Sequence, residues 1–288
     1  MPPRKGKQKW GGVARRGADE VVHPRKDTAS AEWRKAVAKA RDDSHPGNVA
    51  PPPPWERVRD EAEAAVGRGE AQPEPAGRKR KPADLDDDLA KAVPRDRLPK
   101  ARKQLRQAAA AFEAGRHEDV EKILAPLTDL ASESATVREL RGLNLYRLGR
   151  WKPAARELEA FVALTRQSTD QHPVLADCYR ALGRYDEVDR LWRDLRDASP
   201  SAELVTEGRI VAAGALADQG DLTGAIRLLS KGWKFPKRPK EHHLRRAYAL
   251  ADLHERAGDV PQARDLFARL DRHAPDFGDV SSRLRALA

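Results

Sequence analysis

The sequence predicts an all-α chain: an α-solenoid of about five stacked helix pairs with a C-terminal capping helix, preceded by a disordered N-terminal arm. Three observations predict it. Glycine recurs at positions 115, 149, 183, 220 and 258, at intervals of 34, 34, 37 and 38 residues. Columns of small and of large apolar residues hold fixed offsets from each glycine. The residues before about position 98 show neither feature. Self-similarity at such a period is the signature of a repeat architecture.

The arm, residues 1–97, holds 13 of the 21 prolines when Pro99 is counted, including the run Pro51 to Pro54. Branched aliphatic residues are sparse in it, so little apolar area offsets the entropy of ordering the backbone. Its first sixteen residues carry Arg4, Lys5, Lys7, Lys9, Arg15 and Arg16 and no acid. Two stretches, around Trp33 and Trp55, place apolar residues on one helical face and read as transient helices or as segments that fold on docking. Arg78 to Lys81 followed by Asp84 to Asp88 reads as a solvated linker.

From about residue 98 to 288 the pattern becomes helical, and it divides into repeats at about 101–134, 135–168, 169–203, 204–240 and 241–275, with a cap at 276–288. Each recurring glycine ends one helical pattern and stands a few residues before the next, where a positive φ stops a helix without a Cβ clash. Seven residues before the glycines stand Ala108, Gly142, Ala176, Ala213 and Ala251. Five residues after them stand Val120, Ala154, Val188, Ala225 and Ala263. Small side chains at both columns let paired helices approach closely. Nine residues after the glycines, Leu124, Leu158, Trp192, Leu229 and Phe267 supply bulk for the core. Val280, Leu284 and Leu287 share a face that would cover the last repeat.

On these residues the chain resembles the tetratricopeptide repeat (TPR) family over roughly 101–275. The resemblance rests on the 34-residue period, the two small columns, the Gly-x-Tyr/Trp-x-x-Ala-like turn, and Pro200 and Pro275 at repeat ends. It implies a right-handed solenoid whose first helices line a concave binding face. The chain departs from the family in lacking the usual tryptophan early in the first helix. It also has Val120 and Val188 in place of alanine, and a long connector between the fourth and fifth repeats.

Chemistry is not signalled. Metal-ligand spacing, phosphate-binding glycine loops and nucleophile elbows are all missing from the sequence, and the lone Cys178 reads as a small core residue. No enzyme activity, metal or cofactor is expected. Acids and arginines, as at Arg156-Glu157 and Arg190 to Asp194, read as solvated faces. Without an apolar run near the ~18 residues of a membrane span, or a signal sequence, the chain reads as cytoplasmic.

Two functions are compatible with this. The first is a non-catalytic scaffold or adaptor that holds a partner protein or peptide. Its candidate contacts, by family register, are Phe112, Tyr146, Arg147, Arg180, Ile210, Arg245, Tyr248, Asp252 and Arg256. The lysine and asparagine set that clamps a C-terminal carboxylate in some relatives is missing from this register. The alternative is a ribosome- or RNA-associated protein, suggested by the net charge of +10, the arm and the connector Lys231 to Lys240. Its candidates are Arg4, Lys5, Lys7, Lys9, Arg15, Arg16, Lys231, Trp233, Lys234, Lys237 and Arg238. Trp233 and Phe235 could stack on bases, or pack back between repeats with the connector a solvated loop.

Overall fold

A computed structural model describes residues 88–287. The arm's basic cluster, Trp33 and Trp55 lie outside the described residues. Among the described residues every regular element is helical. Five hairpins follow in order: α1 (Leu98–Glu113) with α2 (His117–Leu130), α3 (Ala135–Arg147) with α4 (Trp151–Leu164), α5 (His172–Ala181) with α6 (Tyr185–Ala198), α7 (Ala202–Asp218) with α8 (Leu222–Ser230), and α9 (Glu241–Arg256) with α10 (Val260–His273). α11 (Val280–Ala286) closes the array.

The five turns share one mechanism. Gly115, Gly149, Gly183, Gly220 and Gly258 have φ of +72°, +68°, +73°, +91° and +77°. In each, the amide after the glycine donates to the carbonyl five residues back, as Arg116 to Ala111 and Asp259 to His254, both at 2.9 Å. This closes the first helix with a Schellman motif and launches the second within a few residues. Caps start other helices. Ser201 Oγ accepts from the Leu204 amide at 3.1 Å and Asp221 Oδ1 from the Gly224 amide at 2.8 Å.

Each first helix packs on its own second helix; α3, α5 and α7 also pack on the preceding second helix and on the next first helix, and α9 packs on α7 and α8. The small columns sit at these crossings. Ala108, Ala213 and Ala251 on first helices, and Val120, Ala154, Val188, Ala225 and Ala263 on second helices, have no exposed surface. A Cβ on Gly142 would stand 2.7 Å from Leu158 Cδ2 of α4. That separation is inside van der Waals contact, so the pair needs the missing side chain. α6 shows the outer-helix pattern: Val188, Leu191, Trp192 and Leu195 are buried at i, i+3, i+4 and i+7, and the opposite face is exposed.

The described residues begin upstream of the compositional change. Residues 88–92 are helical, and Leu89 and Val93 are buried in the core. The Asp88 carboxylate takes the Ser134 hydroxyl at 2.7 Å and the Thr136 amide at 2.9 Å, capping the N-terminus of α3. An anion there meets both unpaired amides and the positive end of the helix dipole.

Candidate functional site

The first helices carry the face expected to bind, and a polar seam runs along them. Gln171 Nε2 donates to Glu139 at 2.6 Å, and the Tyr146 hydroxyl donates to Asp177 at 2.7 Å, tying α3 to α5. Arg180 reaches Asp218 with Nε at 2.6 Å and Nη2 at 3.2 Å, tying α5 to α7. It passes over Gly214, where a Cβ would collide with the guanidinium at 2.6 Å. Glu207 and Arg245 pair between α7 and α9. Tyr248 donates to Asp279 at 2.6 Å. Arg283 of α11 donates back to Asp252 at 3.0 Å and Glu255 at 2.6 Å.

Burial and charge act together along the seam. Desolvation pushes the Arg180 guanidinium down, but Asp218 and Asp177 outweigh it, so its pKa lies above the ordinary value. The same contest raises Arg283, where Asp252 prevails. Burial, then the Asp279 carboxylate, raise the Tyr248 phenol. These groups stay in one charge state across the physiological range.

The structure therefore sorts the sequence-derived candidates. Phe112, Tyr146 and Arg245 are 5%, 1% and 5% exposed, held between neighbouring helices and not presented to solvent. Arg147, Arg180, Ile210, Tyr248, Asp252 and Arg256 are half-buried along the same face. Sequence reasoning missed Asp88, Gln171, Asp218 and Arg283. It also read Glu157 as part of a solvated face. Glu157 is 8% exposed and receives Arg138 at 2.7 Å and Arg141 at 3.0 Å. A partner 16 to 19 residues away on a different helix leaves no i,i+4 signal.

The connector after α8 takes one of its two expected courses. Trp233 and Phe235 pack on the C-terminal core, edge to face at 6.1 Å, and Phe235 stacks on His273 at 5.4 Å. Lys231, Lys234, Lys237 and Arg238 remain exposed. α8 is 9 residues long where the other four second helices have 14, and the connector that carries the two rings follows it directly.

Cys178 is fully buried, and burial followed by Asp177 raises its thiol, which keeps it neutral. No group of three or more His, Cys, Asp or Glu side chains suited to a metal occurs among the described residues. No described helix is long and apolar enough to cross a membrane.

Consecutive hairpins turn at a positive-φ glycine and stack first helix on first helix, with small residues at each crossing. The described residues thus form an α-solenoid of helix hairpins, the architecture that the sequence resemblance implies. No family model matches this sequence, and no curated protein matches it. Solved structures do match. A thermophilic TPR protein of Thermus thermophilus is 17% identical, with a TM-score of 0.49 over 65% of this chain and 98% of its own. The TPR domain of P58(IPK) is 13% identical, with a TM-score of 0.31 over 96% of this chain and 77% of its own.

Proposed function

We propose that the chain is a non-catalytic scaffold that holds a partner protein or peptide along the face of its first helices. The observation that carries this reading is the seam itself. Buried polar links fix α3, α5, α7 and α9 side by side, so a long surface is held in one shape before any partner arrives. Preorganisation of that kind lowers the ordering cost of binding. Half-buried Arg147, Arg180, Ile210, Tyr248, Asp252 and Arg256 mix aromatic, aliphatic and charged contacts, with arginine and tyrosine the types enriched at interface hot spots.

The test compares two surfaces in affinity capture from cells. Ile210→Asp and Arg147→Glu alter the first-helix face. Arg196→Glu and Arg264→Glu alter exposed positions on α6 and α10. The reading expects the first pair to lose captured partners and the second pair to keep them. Equal recovery from both pairs would sink it.

A further inference from the structure

Arg138, Arg141, Arg180, Arg245, Arg256 and Arg283 are largely buried, and each reaches a carboxylate. Arg209 on α7 and Arg246 on α9 reach none among the described residues. Their guanidinium groups converge on a single acceptor, the Lys231 carbonyl oxygen, with Arg209 Nη1 at 3.3 Å and Arg246 Nη2 at 3.1 Å. Each lies over a tryptophan: Arg209 over Trp192 at 5.5 Å, Arg246 over Trp233 at 5.4 Å.

Arg246 has a structural duty. Its Nε donates to the Leu229 carbonyl at 2.8 Å, which serves the open end of the shortened α8. Arg209 has no such duty, for the Lys231 carbonyl already has a donor. It adds a second cation beside the first. Burial, then the charge of Arg209, push Arg246 down to about 10. The connector that supplies this carbonyl also presents exposed Lys231, Lys234, Lys237 and Arg238. Of the acids on the flanking helices, Glu207 pairs with Arg245, Glu241 lies 4.0 Å from Arg245, and Glu203 lies 3.7 Å from His242.

We propose that this corner of α7, the connector and α9 binds single-stranded nucleic acid through its phosphate backbone. Arg209, Lys231, Lys234, Lys237 and Arg238 make the contacts. Arg246, 9% exposed, holds the pair in place from behind. A guanidinium fork meets a phosphate bidentately, and a bound anion relieves the repulsion between the two arginines. An acidic peptide fits less well. Peptide affinity comes from buried side-chain anchors, and here both connector rings are already packed inward. A repeating phosphate chain needs only the cations.

Fluorescence anisotropy on the full-length chain tests this, with a labelled uridine oligonucleotide of about 20 nucleotides, longer than typical single-strand footprints. Five phosphate contacts give a log–log salt slope of about −3.5 from this corner, on the order of a hundredfold loss between about 50 and 200 mM salt. Lys234→Gln, Lys237→Gln and Arg238→Gln together make the slope shallower by about 2, and Arg209→Gln by about 0.7. Arg209→Lys keeps the slope. The lysine and arginine side chains of the connector are exposed, so melting temperature stays that of the parent and loss of fold is separable from loss of binding. A thymidine oligonucleotide binds with the same slope, because phosphates are read and sugars are not. The proposal is overturned by no binding, by a triple variant with unchanged slope, by a thymidine slope near zero, or by polyglutamate displacing the oligonucleotide equally well at matched charge.

Discussion

Arg245 and Arg246 are neighbours on α9, yet they belong to two different regions. A step of one residue turns a helix by about 100°, so adjacent side chains leave on different faces. Arg245 points into the seam and meets Glu207, with 4% and 3% of the two side chains exposed. Arg246 points to the connector and meets carbonyl oxygens, a tryptophan ring and another arginine. The contrast teaches that burying arginine here serves two ends. Along the seam, charges are neutralised and lock one repeat to the next. At the connector, charge is retained unneutralised.

The largest effect should come from breaking the seam. Arg245→Met strands a buried Glu207 carboxylate and should cost about 3–5 kcal/mol in urea unfolding. Adding Glu207→Gln should recover most of that, since an uncharged pair leaves no orphaned ion. A loss below about 1 kcal/mol for the single variant would mean that the pair is not buried in solution.

Packing comes next and sets the scale for both regions. Ala154→Leu and Ala263→Leu place bulk at helix crossings without exposed surface, and each should cost about 1–3 kcal/mol by thermal melting. At the connector the costs should be smaller. Arg246→Met forfeits hydrogen bonds to the end of α8, worth about 1–2 kcal/mol. Arg209→Gln should shift stability by no more than about 0.5 kcal/mol, because the contact it loses is offset by removed repulsion. If Arg209→Gln proved as costly as Arg245→Met, the distinction between the two regions would collapse.

The smallest effect is a pH dependence. Burial depresses both His172, at the start of α5, and His243, on α9, below the ordinary 6.5. Each folds as the neutral form, so the unfolded chain binds protons more readily. Their contribution is fully present above pH 6.5 and is lost as pH falls through the depressed values. Melting temperature between about pH 7 and 5 should fall less steeply in His172→Gln than in the parent. Parallel curves would remove His172 from the account.

The turns and crossings were legible because they depend on backbone and volume. A positive-φ stop asks for glycine, and a close crossing asks for a small residue, so both leave a column in the sequence. The seam was illegible for the opposite reason. Tyr146 finds Asp177, and Arg180 finds Asp218, 31 and 38 residues away on the next first helix. Neither distance is fixed by helical geometry, and on its own helix each residue looks like an ordinary wet polar position. Asp88 was hidden likewise, for its capping role depends on Thr136 and not on its acidic neighbours. The direction of Trp233 and Phe235 was illegible because a basic connector with two aromatics suits stacking on bases as well as packing on the core.

α7 carries one more consequence. Its Val211 and Ala215 join the apolar cluster that begins at Leu89, while Ala213 and Ala217 join the one that ends at Val280. Two greasy interiors thus meet across one helix whose contributions are mostly methyl groups. Opening should therefore proceed in blocks. In hydrogen exchange the span from α8 to α11 should release its amide protons as one unit, separately from α1 to α6, with α7 as the boundary between them.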